Sequence, residues 1–63
     1  MISNLKQVRN KKGMTLRGLA EKSSVPMSNI TKLEAGIGNP KLKTMCKLAK
    51  ALDVEVWELF SCE

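Results

Sequence analysis

The sequence has no histidine and no tyrosine, and only one tryptophan and one phenylalanine among 63 residues. Without histidine the commonest general base at neutral pH is missing, and a nucleophile has no imidazole partner. No clustered carboxylates and no glycine-rich loop ahead of a helix take its place, so an enzymatic reading is rejected. Two cysteines, Cys46 and Cys62, are too few for a disulfide framework, and without histidine a zinc site lacks ligands. Reduced thiols in a cytosolic protein are the expectation. A crosslink through Cys62 under oxidation would be an artefact rather than a function. No apolar run approaches membrane-spanning length. Met1 leads directly into a polar, basic stretch, so no signal peptide is expected. Neither a cofactor nor a small-molecule ligand is implied, and the expected location is cytoplasmic.

What is present is aliphatic and basic. A core drawn from Leu, Ile, Val, Met and Ala favours short close-packed helices over a sheet, which would want more aromatic and β-branched residues. A chain this short makes one domain, residues 1–63, with a stability of only a few kcal/mol that pairing with a second copy would raise. Eleven Lys and Arg against six Asp and Glu leave a net charge of +5, which points to a polyanionic partner. The distribution is more informative than the total. Every base lies between Lys6 and Lys50, whereas Asp53, Glu55, Glu58 and Glu63 close the chain with no base among them. One end of the domain should attract phosphate and the other should not.

The stretch from Ser24 to Gly36 organises the rest. Val25, Ile30 and Leu33 recur at helical spacing and make one side apolar. Met27, Ser28, Asn29, Thr31 and Lys32 make the other side small or polar, with one cation. Pro26 suits the first helical position and Gly36 the left-handed close. Such a short helix, with a hydrogen-bonding outer face, has the size and chemistry to enter a DNA major groove. Ahead of it, Ile2, Leu5 and Val8 give a stripe for a first helix from Ile2 to Lys12, stopped by Gly13. Thr15 is a good N-cap for a second, from Leu16 to about Ser23, packed through Leu16, Leu19 and Ala20. Gly18 inside that helix is poor by propensity and is expected to permit close approach of a neighbouring helix. Ile37 to Pro40 is a loop by composition. A fourth helix, from about Lys41 to Leu52, buries Leu42, Met45, Leu48, Ala49 and Leu52. Asp53 can take a left-handed closing position, and a last short helix runs from Glu55 to Phe60.

These marks occur in an order that resembles the phage-repressor, Cro-like (xenobiotic-response-element) helix-turn-helix family. The matching residues are Leu5, Val8 and Arg9; Lys12 to Thr15; Leu19 to Lys22; and Val25, Ser28, Ile30, Leu33, Glu34 and Gly36. They continue with Asn39, Pro40, Leu42, Thr44 and Met45, then Leu48 to Leu52 with Val54, and finally Glu58 to Phe60. No single piece is specific; the ordered set is. The resemblance implies an all-α, five-helix, lambda-repressor-like domain, with the recognition helix at about residues 27–35. It departs from the family at Ser24, where Gly often supplies a positive φ, and at Leu16, where a Gln usually touches phosphate.

The resemblance also implies roles. Met27, Ser28 and Lys32 fall where the family reads bases, with Lys32 suited to guanine and Met27 to a thymine methyl, an exposed side chain at the helix start being the other reading for Met27. Arg17, Asn29, Thr31, Asn39, Lys41 and Lys43 fall where it touches the DNA backbone or supports the helix. Arg9 and Glu34 correspond to a family ion pair that fixes the recognition helix on the first helix. At the C-terminal end Val54, Val56, Trp57 and Phe60 exceed what one small core needs. They are candidates for a two-fold dimer contact, with core packing the other reading for Trp57. The function implied is a sequence-specific regulator of transcription, a repressor, binding palindromic double-stranded DNA as a homodimer. The alternative is an interaction module, such as an antitoxin-type helix-turn-helix protein.

Overall fold

The computed structural model describes residues 2–61, which leaves Cys62 outside the described residues. Among those residues the chain forms five helices and one short antiparallel pair of strands. In chain order the elements are β1 (Ile2–Ser3), α1 (Leu5–Lys11), α2 (Leu16–Ser23), α3 (Met27–Glu34), α4 (Leu42–Leu52), α5 (Val56–Leu59) and β2 (Phe60–Ser61). The strands were not expected. Ile2 pairs with Ser61 and Ser3 with Phe60, and the Asn4 amide donates to the Leu59 carbonyl at 2.7 Å. The beginning of the chain is thereby stitched to the end, and α1 starts at Leu5. Ile2 leaves the α1 stripe and is 44% exposed.

Local chemistry sets the boundaries. Gly13, at φ +68°, reverses the chain after α1: its amide reaches the Asn10 carbonyl and the Met14 amide the Arg9 carbonyl. The same pair of hydrogen bonds closes α3, through Gly36 at φ +76°, with the Ile37 amide donating to the Lys32 carbonyl and the Gly36 amide to the Leu33 carbonyl. It closes α4 through Asp53 at φ +58°, where Val54 bonds to Ala49 and Asp53 to Lys50. This pattern satisfies carbonyls that a helix end otherwise orphans. The Thr15 hydroxyl accepts from the Gly18 amide at 3.0 Å, which caps α2. Glu55 and Glu58 form a reciprocal capping box on α5, and that helix stops at Leu59 because Phe60 turns extended into β2.

Leu5, Leu19, Ile30, Leu48 and Leu59 have no exposed surface, and they gather one core from every helix together with Val25, Leu33, Ala49, Ala51, Leu52 and Phe60. Three expectations need correcting. Leu42 is 67% exposed: as the first residue of α4 it lies a turn short of the core, which that helix reaches only at Met45. Pro26 is the N-cap of α3, with extended ψ of 141°, and not its first helical residue. Gly18 does not admit a neighbouring helix. A β-carbon there would meet the Thr15 hydroxyl oxygen at 3.1 Å and the Met14 side chain at 3.5 Å, so its smallness protects the cap of its own helix.

Candidate nucleic-acid interface

The candidate site is the outer face of α3 and what holds it. The turn before it is Ser23-Ser24-Val25. Ser23 is buried; its hydroxyl donates to the Leu19 carbonyl at 2.6 Å and accepts from the Val25 amide at 3.3 Å. One side chain therefore joins the end of α2 to the start of the turn. Ser24 adopts the left-handed conformation at φ 62°, ψ 27°, a conformation costly for a residue with a β-carbon. The turn keeps the geometry for which glycine is the easier choice.

From the other side, α3 is held by Arg9. Its Nε donates to Glu34 Oε2 at 2.6 Å and its Nη2 to Glu34 Oε1 at 3.4 Å. The remaining Nη1 donates to the Met14 carbonyl at 2.9 Å. Both side chains are about nine-tenths buried. A guanidinium is suited to this arrangement, because its planar fork can grip a carboxylate and still reach a backbone oxygen. One side chain thus ties α1, the loop after Gly13 and the end of α3 together. The Met14 carbonyl had no signal in the sequence, since any residue supplies a carbonyl.

With Ile30 and Leu33 in the core and Glu34 turned to Arg9, the opposite side of α3 faces solvent. At about 100° per residue, Ser28 and Lys32 lie at the centre of that side. Met27 and Thr31 lie on one flank and Asn29 on the other. All five are exposed. Thr31 is not a free donor: its hydroxyl donates to the Met27 carbonyl at 3.0 Å.

The Asn29 flank continues into the loop after α3. Asn29, Lys32, Asn39, Lys41 and Thr44 line a single open concavity of about 340 Å³, with Leu33, Ile37, Gly38 and Pro40. The structure therefore brings two cations and three side-chain hydrogen-bonding groups to one place. Thr44 is an addition to the expected set; its half-buried position in the first turn of α4 sets it on this wall. Lys43 is exposed on α4 but does not line the concavity, and Arg17 stands apart on α2. Arg17 is 3.9 Å from Glu21, and both are largely exposed, so this pair adds little stability.

The C-terminal candidates separate. Phe60 is buried in the core, and Val54 and Val56 are half-buried against it. Trp57 is 71% exposed. Cys46 is an exposed free thiol. Among the described residues, no helix is long and apolar enough to cross a membrane.

Comparison with known proteins agrees with this geometry. The Helix-turn-helix family model matches residues 5–59. The chain is similar to the HTH-type transcriptional regulator SlrR of Bacillus subtilis (strain 168), with 38% identity over 56 residues, covering 87% of this chain and 37% of SlrR. The chain therefore spans well under half the length of that relative. The restriction-modification controller protein C.AhdI from Aeromonas hydrophila superposes with a TM-score of 0.84 at 38% identity, covering 90% of this chain and 86% of that one. The N-terminal DNA-binding domain of the master biofilm-regulator SinR from Bacillus subtilis superposes with a TM-score of 0.84 at 35% identity, covering 100% and 94%. With a family match over most of its length and the α2–turn–α3 unit in place, the chain belongs to the Cro/C1-type helix-turn-helix family.

Proposed function

We propose that this domain is a sequence-specific double-stranded DNA-binding regulator of transcription, with α3 laid in the major groove. The observation that carries the reading is the contrast across α3. Its inner side is fixed by a buried, bidentate ion pair, while its outer side offers exposed small, polar and cationic groups beside one apolar side chain, Met27. A helix held at a set angle with its hydrogen-bonding side free suits base readout, where specificity depends on fixed geometry. The concavity beside it, with Lys32 and Lys41 on its walls, suits the phosphate backbone flanking the groove. Met27, Ser28 and Lys32 are the proposed base readers, and Arg17, Asn29, Asn39, Lys41 and Lys43 the backbone contacts. The similarity to transcriptional regulators supports the same assignment, and its place would be the cytoplasm.

The finer reading is a homodimer on a palindromic operator, repressing by occupying it. The exposed Trp57 supports a protein contact at the α5 end, since a large aromatic exposed beside half-buried valines is the composition of an interface centre. A two-fold dimer would set its recognition helices about 34 Å apart, one turn of DNA. Replacing both Lys32 and Lys41 with Glu tests the groove-facing assignment. Operator binding should be lost while the thermal melt and self-association stay unchanged. Binding that survives the double reversal would put the DNA on another face.

A further inference from the structure

The two flanks of α3 differ chemically. The Asn29 flank is polar and opens onto the concavity with Lys41. The Met27–Thr31 flank carries no charge. Residues i and i+4 lie about 40° apart around a helix, so these side chains form one continuous edge. The hydroxyl proton of Thr31 is spent on the Met27 carbonyl. With the oxygen turned back along the helix, the γ-methyl is the other heavy group on that exposed β-carbon. Met27, 46% exposed, adds a flexible, polarisable thioether and a terminal methyl. The nearest acid along the helix, Glu34, is occupied by Arg9.

Resting on the DNA-binding reading above, we infer that the Met27–Thr31 edge recognises the C5-methyl group of thymine. Thr31 is then a specificity-determining residue through its methyl, not its hydroxyl. Among the groups that unmodified base pairs present in the major groove, this methyl is the apolar one; every other position is a donor or an acceptor. An edge without a free donor or a charge gains nothing from the acceptor positions, and its exposed carbons lose the water around them when they meet the methyl. Ser28 and Lys32, at the centre of the helix, take the hydrogen-bonding groups of neighbouring pairs. The half-site should accordingly carry thymine on the Met27–Thr31 side, and it should be more tolerant on the Asn29 side, where contacts go to backbone.

The test uses a duplex selected by the protein from random unmodified double-stranded DNA, with each thymine replaced in turn by deoxyuridine. That replacement deletes the methyl and leaves every hydrogen-bonding group in place. At one or two thymines per half-site the affinity should fall about fourfold, the worth of one buried methyl-sized group. Thr31→Ser keeps the hydroxyl and its bond to Met27 but removes the γ-methyl. In this variant the thymine-to-deoxyuridine ratio should drop to about one at a single position and hold elsewhere. Met27→Ala should do the same at a neighbouring position. Neutral deoxyuridine throughout the selected site overturns the inference, as does a ratio unchanged in both variants. If no duplex enriches, the DNA-binding reading fails and takes this inference with it. If a site enriches but is blind to the methyl, only this inference fails.

Discussion

The two ends of α3's support system and the α5 end of the molecule handle their least comfortable residues in opposite ways. Beneath the proposed DNA face a cation and an anion are buried and fully partnered, Arg9 reaching Glu34 twice and the Met14 carbonyl once. At the other end a large apolar ring, Trp57, is left in solvent on the short helix that Glu55 and Glu58 cap. Burying an ion pair costs desolvation that an apolar substitute would avoid, so it is poor evidence for stability as such. Its use here is positional: it specifies where the end of α3 sits relative to α1. An exposed tryptophan adds little to the fold of one copy and becomes useful only when something covers it. The first feature holds a surface in place; the second leaves a surface open, and to it we assign the proposed dimer contact.

The largest expected effect comes from breaking the buried pair. Glu34→Ala strands a guanidinium that keeps only its bond to Met14, and removing one partner of a buried pair costs about 3 kcal/mol. For a domain of this size that is a fall of roughly 15 °C in melting temperature, read by circular dichroism, with DNA affinity lowered as well. Unchanged values for both would remove the pair from the account. Next is Trp57→Ala. The monomer should melt as before at low concentration, while self-association by sedimentation weakens by about 2 kcal/mol, the scale of an interface hot spot. A wild-type chain that remains monomeric at high concentration would leave Trp57 without the proposed partner. The third has the opposite sign. Ser24→Gly relieves a β-carbon held at φ 62° and should raise stability by about 1 kcal/mol, with DNA binding unaffected. A loss of stability would show that the serine side chain contributes more than its backbone costs. The smallest is Lys43→Ala, which should reduce the slope of log affinity against log salt by about 0.9 if Lys43 meets a phosphate. An unchanged slope would return it to the solvated surface.

Much of this architecture was readable from short-range signals. The Gly13 and Gly36 reversals, the Thr15 cap and the left-handed Asp53 follow from residue types whose backbone preferences act locally. The apolar stripe Val25, Ile30, Leu33 was readable for the same reason. Part of what escaped depends on distant partners. Ile2 continues the periodicity of α1, yet it pairs with Ser61 at the far end of the chain, and nothing near Ile2 signals that. Leu42 fits the stripe of α4, but periodicity does not say how far along its axis a helix is covered. Gly18 was misread because its nearest neighbours are the cap and Met14 of its own turn, not another helix. At the candidate site, Asn29, Lys32, Asn39 and Lys41 were all singled out, but their convergence on one concavity with Thr44 depends on the path of the loop through Gly38. Thr31's commitment to the Met27 carbonyl is a rotamer choice that residue spacing leaves open.

The most direct measurement is selection of binding sites by the whole chain from random double-stranded DNA at physiological salt, with the enriched sequences read out. The account predicts a short motif with two-fold symmetry and half-sites about one helical turn apart, lost on reversal of Lys32 and Lys41. Salt-sensitive binding without any enriched sequence would contradict it, because a basic surface alone produces that result.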